Sequence, residues 1–280
     1  EDVPATGGSA VPVAALRLTR LGTQVAFHVE PRNGAFGPGS LLYFVAEGTD
    51  AAHGSEAVYE LALAGDGVRM TVDVAAVRGG APGAPAVTHL RHEAAFERDV
   101  NYLPALLESR DLWTWDYGLA GGQSASYPFK IQDLTLVPEA ARLVVDLEGG
   151  SDTITDPDHH VRVFVNGSLV GEATWDGMRP ATVEVDVPVA ILRPGDNTLL
   201  LENAGDTGSV QSFVYLDRFT IEYPREIVPV DGVVEGIAPS SGRVGREAAP
   251  GTILLDVTSP VPAWLGRVHA LGQAGFRAEA

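Results

Sequence analysis

The chain has 280 residues, 45% of them hydrophobic, with 32 Gly, 19 Pro, no Cys and a formal net charge of −18. That length and apolar content suit two or three folded domains, and the acidity without any cluster of Lys and Arg excludes a nucleic-acid partner, since phosphate backbones are held by grouped cations. The lack of cysteine excludes disulfides, thiolate metal sites and a cysteine nucleophile from this chain, and no apolar run reaches the length of a membrane span.

Short runs of alternating or β-branched residues, punctuated by Gly, Pro, Asn and Asp, recur along the chain and predict an all-β protein of sandwich type. In residues 1–88, LLYFVAEG at 41–48 and GVRMTVDVAAV at 67–77 read as strands of an N-terminal β domain, and the loop RGGAPGAPA closes it. Residues 89–224 are the most regular block, with strands expected at ARLVVDLEG, HVRVFVNG, ATVEVDV, NTLLLEN and SFVYLDRFTIEY, and with Pro224 expected to stop the last of them. Helical turns are expected only near LPALLESRDLW at 103–113 and PVAILRPG at 188–195. Residues 225–280 hold one or two strands, GTILLDVT among them, too few to fold alone, so this β segment is expected to pack on the preceding blocks.

The sharpest local signal is HHVRVFVNGSLVGEATW, two extended segments around Asn166-Gly167, the pair that most readily adopts the positive φ angles of a type I′ turn. Alternation along the first segment places His159 on one face with Val161, Val163 and Val165, and His160 on the other with Arg162 and Phe164. Adjacent histidines then point apart and do not chelate one ion, so a structural role at the mouth of the hairpin is expected of them.

Asp152, Asp156 and Asp158 in SDTITDPDHH supply hard oxygen donors in a loop, a donor set suited to calcium, although the glycine and distal glutamate of an EF-hand are missing. Trp113, Trp115 and Tyr117 alternate in LWTWDYG and on a strand would align three rings on one face, where they could stack on sugar or fill a core. DTGS at 206–209 has no second copy, as an aspartic-peptidase dyad would need, and reads as a loop. Neither Gly-x-Ser-x-Gly nor His-Glu-x-x-His occurs.

The order VEVDVPVAILRPGDNTLLLENAGD then VYLDRFTIEY resembles the jelly-roll sandwiches of galactose-binding-like and carbohydrate-binding modules. That resemblance implies a structural calcium ligand at Asp217 in the terminal strand. A broader resemblance spans nearly the whole chain: RLTRLGTQVAFHVE, FGPGSLLYFVAEGTD, WTWD, DHHVRVFVNGSLVGEATWDG, GDNTLLLENAGDTGSVQSFVYLDRFTIEYPRE and LLDVTSPVPAWL follow one another as in the non-catalytic region preceding the protease domain of gingipain-like secreted bacterial peptidases of the C25 family. It implies a secreted or cell-surface protein whose caspase-like domain, with its His and Cys, follows DVTSP. That domain of the same parent protein is then the expected partner, with a surface glycan or protein as a further one, and the chain itself is expected to be no enzyme. The rival reading is a carbohydrate-binding jelly-roll protein, and a third is an independent hydrolase.

Overall fold

A computed structural model describes residues 10–32, 34–46, 57–72, 86–104, 111–229, 233–237, 242–248, 251–267 and 272–276. These residues are built from β-strands, with two short 3-10 turns at Val13–Ala15 and Val189–Ile191 and no α-helix among them. The second turn is the helical turn expected at 188–195. Most of the one expected at 103–113, the 78–85 part of the Gly/Pro loop and the strand continuation beyond Val72 lie outside the described residues.

The chain divides into two compact units, one drawn from 1–86 with 242–279 and the other from 87–241. In the first, Leu16–Arg20 pairs with Thr23–Gln24 and Glu60–Leu63, and Phe27–Glu30 pairs with Leu41–Phe44. The late hairpin Ile253–Asp256 with Ala263–Arg267 belongs to this unit, where Ala263–Arg267 runs parallel to Thr71–Val72.

The second unit is a sandwich of two antiparallel sheets. One has the order His89–Glu97, Phe213–Glu226, Ala140–Gly149, Pro180–Pro188, with the short strand Leu119–Ala120 also paired to Phe213–Glu226. The other has the order Ser124–Ile131, Gly195–Asn203, His159–Val165, Ser168–Trp175. The facing side chains form one core, including Leu143, Val145, Val161, Val163, Leu199, Leu201, Phe219 and Ile221. Burial along His159–Val165 alternates without a break, as period-2 patterning requires. Asn166 and Gly167 take φ of 49° and 85°, so the turn residues do what the Asn-Gly pair predicts.

Pro224 does not stop its strand, which runs on to Glu226. The carbonyl of Pro224 accepts the Thr135 N–H at 2.9 Å, and Glu226 N–H reaches the Asp133 carbonyl at 2.7 Å. The polar edge of Pro224 therefore faces residues 133–135 rather than its partner Arg91 on His89–Glu97, so the missing N–H removes no bond from that ladder.

Candidate functional site

Asp217 owes its position to a β-bulge. Between Phe213–Glu226 and Ala140–Gly149 the register pairs Asp146 with Arg218 and then Leu147 with Leu216, leaving Asp217 as the extra residue. A bulge inserts one unpaired residue and re-aims its side chain. Here the carboxylate is carried toward Glu97, at the end of the neighbouring strand where Glu97 opposes Arg218, and toward Asp111. Among the described residues these three are the group whose ligand oxygens all lie within 4.8 Å of one another. Asp111 is oriented by its Oδ1, which accepts the Trp113 N–H at 2.9 Å.

Three carboxylates held together repel, and Asp217 registers the strain: burial, then the charges of Asp111 and Glu97, push its carboxyl up to about 7, with Arg218 opposing. A divalent cation would relieve that repulsion. The all-oxygen donor set, half-buried at Asp111 and Asp217 and open at Glu97, fits a hard ion such as calcium and lacks the nitrogen or sulfur donors of a zinc site. Beside the trio lies a cleft of about 260 Å³ lined by Asp111, Asp217, Asp146, Glu148, Thr182 and Arg218 together with Leu147, Pro180 and Ala181. Within it Asp146 is already engaged, accepting from Thr182 Oγ1 at 2.8 Å and from Arg218 Nε at 3.1 Å.

Asp152, Asp156 and Asp158 are not gathered into such a set. Asp158 is fully buried, and its oxygens accept the N–H groups of Thr153 at 3.1 Å and Gly177 at 3.0 Å, which ties the loop before the hairpin to the loop after it. Asp152 and Asp156 stay exposed; burial and the charges of Asp156, Asp158 and Asp152 push up the neighbouring Asp176.

The paired histidines point to opposite faces, as alternation requires. His160 faces outward between Asp206 at 2.6 Å and Glu172 at 3.4 Å, and Arg162 also bonds Asp206 at 2.8 Å, so the first residue of DTGS serves a surface charge network. His159 is fully buried, with Nε2 3.1 Å from the Ser151 carbonyl and 3.2 Å from Asp158, and Nδ1 3.0 Å from Ser212 Oγ. A carbonyl can only accept, so Nε2 carries a proton and donates it to Ser151. The Ser, His and Asp thus stand in the order of a catalytic triad. They lie inside the sandwich rather than in a cleft, and the Ser212 hydroxyl is also engaged by Asn203 at 3.0 Å, which in turn holds the Leu119 carbonyl. The cluster knits together the chain at Leu119, Ser151, Asp158–His159, Asn203 and Ser212.

The three rings of LWTWDYG do not form one platform, because the strand here is only Trp113–Thr114. Trp115 packs into the sandwich core against Tyr127 and Phe219, Trp113 lies against Tyr102 at 5.0 Å, and Tyr117 is 76% exposed.

Glu97 and Asp111 carried no motif in the sequence. The bulge beneath Asp217 did leave a trace: the strand's residues in the sandwich core run 214, 216, then 219, 221, and the three-residue step marks an inserted position.

The same arrangement of strands is found in a much larger protein. Over 90% of its length the chain is similar in fold to dimeric latent PorU from Porphyromonas gingivalis, with a TM-score of 0.56. The two are 11% identical, and the chain spans only 26% of the PorU chain. Two further likenesses, to a CBM36-1 domain of a multidomain xylanase from the hindgut metagenome of Trinervitermes trinervoides and to a CBM36 carbohydrate-binding module in complex with calcium and xylotriose, each cover 46% of this chain at a TM-score of 0.29. They span 96% and 98% of those modules at 14% and 12% identity, and at that TM-score they carry no argument. No family model and no curated protein matches the sequence.

Proposed function

We propose that the chain is the non-catalytic β region of a secreted, gingipain-like cysteine peptidase, a scaffold on which the catalytic domain of the same protein is positioned. The observation that carries this reading is the likeness to PorU, which extends over both units and 90% of the chain while spanning about a quarter of that larger protein. The reading agrees with the resemblance of the motif order to C25 peptidases. The chemistry of the chain agrees: without cysteine it cannot supply the nucleophile of such a peptidase, and its Ser-His-Asp cluster is enclosed. Calcium fits the reading as a structural ion at Glu97, Asp111 and Asp217, where it would fasten the first strand of the sandwich to the last.

Two measurements test the proposal. The reading frame of the parent gene is expected to continue beyond Ala280 into a domain carrying the catalytic His and Cys; a frame without one overturns the assignment. The purified chain is expected to leave casein and peptides with basic residues uncut. Turnover that co-purifies with it through successive columns and survives thiol reagents would show an enzyme instead.

A further inference from the structure

His28 and Trp264 meet in the interior of the first unit. His28 sits on Phe27–Glu30 opposite Tyr43 of Leu41–Phe44, and Trp264 sits on Ala263–Arg267. Their rings stack with centroids 4.0 Å apart and planes 12° from parallel, and Tyr43 leans on the same indole at 5.0 Å. His28 is 5% exposed and Trp264 1%, and Trp264 forms a core cluster with Ala26 and Met70 against which Ile253 and Leu255 pack. The indole is thus an apolar anchor joining the late hairpin to the early strands.

The imidazole in that stack has a weakness. Its Nε2 is buried and meets no hydrogen-bond partner among the described residues. A neutral ring tolerates this, because one nitrogen of imidazole need only be an acceptor left idle. A protonated ring carries a donor on both nitrogens and a full charge, and a buried charged donor without an acceptor is far more costly than an idle lone pair. The indole face attracts a cation and offsets part of that cost, but it offers no acceptor to Nε2. The charged groups nearby pull in opposite directions: Arg32, just past the strand, disfavours a second positive charge, and Glu30 on the same strand favours it. From the elements packed against the ring come Tyr43 and Trp264, with Arg69 lying over the adjacent Phe27. Burial is the largest influence, and with Arg32 it outweighs Glu30, holding the His28 pKa below its ordinary value of 6.5.

We propose that the His28–Trp264 stack is an acid-sensitive clasp, closed while His28 is neutral and opened by its protonation, which frees the 253–267 hairpin from the N-terminal strands. The sign follows from linkage. The open form takes up a proton near the ordinary histidine value and the closed form only at lower pH, so closure is fully favoured above about 6.5 and weakens below it. One titrating group raises the open population by at most about tenfold per pH unit in that window.

Hydrogen exchange on the full chain tests the clasp. Amide exchange in Ile253–Asp256 and Ala263–Arg267, corrected for intrinsic rates and referred to Phe213–Glu226 in the other unit, is compared at pH 7.5 and 5.5. The wild type is expected to open five- to tenfold more at pH 5.5. His28→Phe, which keeps a flat ring and cannot titrate, and His28→Gln, which is smaller and neutral, are expected to lose that difference. An equal acid effect in the variants, or no effect in the wild type, overturns the clasp. Should both variants fail to fold, NMR titration of the wild-type His28 ring decides: a folded-state pKa at or above 6.5 refutes the proposal.

Discussion

Replacing Asp217 by Asn removes the ionisable group from the carboxylate trio at nearly constant shape. In the folded chain Asp217 titrates near 7 against an ordinary 3.8, about three units, and at about 1.4 kcal/mol per unit this sets an upper bound of about 4 kcal/mol. Solvent reaches the half-buried carboxylate and Glu97 is exposed, so screening reduces the working value to about 1–2 kcal/mol. Because the folded pKa is raised, the folded state holds its proton where the unfolded state has lost it. The stability this confers is complete below about 3.8 and lost as pH rises through 7. In chelator, Asp217→Asn should therefore match the wild type near pH 4 and exceed it by about 1–2 kcal/mol at pH 8, read from urea melts of the second unit. Calcium reverses the order at pH 8: the wild type gains about 2.7 kcal/mol when the ion stands at 100 times its dissociation constant, and the variant gains little. A wild type and variant whose stabilities run parallel from pH 4 to 8, with calcium shifting neither, would refute both the carboxylate repulsion and the ion site.

Three further outcomes follow from the packing. His159→Ala removes a fully buried ring, leaves the Ser151 carbonyl without its side-chain partner and Ser212 with Asn203 alone, and a loss of about 2–4 kcal/mol is expected in the same melts. Phe219→Ala opens a cavity where Phe96, Trp115 and Phe129 now meet one ring; a loss of about 3–5 kcal/mol is expected, and a loss under 1 would show that the core collapses around the gap. Gly118→Ala combines a φ of 84° with a Cβ placed 2.7 Å from the Tyr215 ring, so thermal unfolding should shift down by several degrees, whereas Gly167→Ala, with a similar φ and open space around it, should shift less.

Much of the fold was legible in the sequence because its cause is local. Valine at every second position from Val161 to Val165 fixes which face is buried, and Asn166-Gly167 fixes the turn, so the hairpin and the divergence of the two histidines could be read without coordinates. Absence of cysteine is likewise a fact of composition. The expected end at Pro224 failed for a nonlocal reason: whether a proline interrupts a ladder depends on which neighbour its N–H would have faced, and that neighbour, residues 133–135, is distant in sequence. The three rings of LWTWDYG failed as a platform because a strand only two residues long cannot hold them on one face.

The candidate site was legible only in part. Asp217 is singled out only by the resemblance of its strand to jelly-roll modules, and its partners are joined to it by sheet pairing and a bulge that bring Glu97 and Asp111 across more than a hundred residues, an encounter that no spacing rule in one dimension encodes. The calcium-suited triplet in the loop shows the converse: Asp152, Asp156 and Asp158 are close in sequence, yet backbone N–H groups from two loops claim Asp158 and leave no shared focus. Periodicity and turn chemistry act between near neighbours and are written in the chain. Convergence of charges, the enclosure of Ser212 with His159, and the stack of His28 on Trp264 depend on which strands lie side by side, and only the folded sheets decide that.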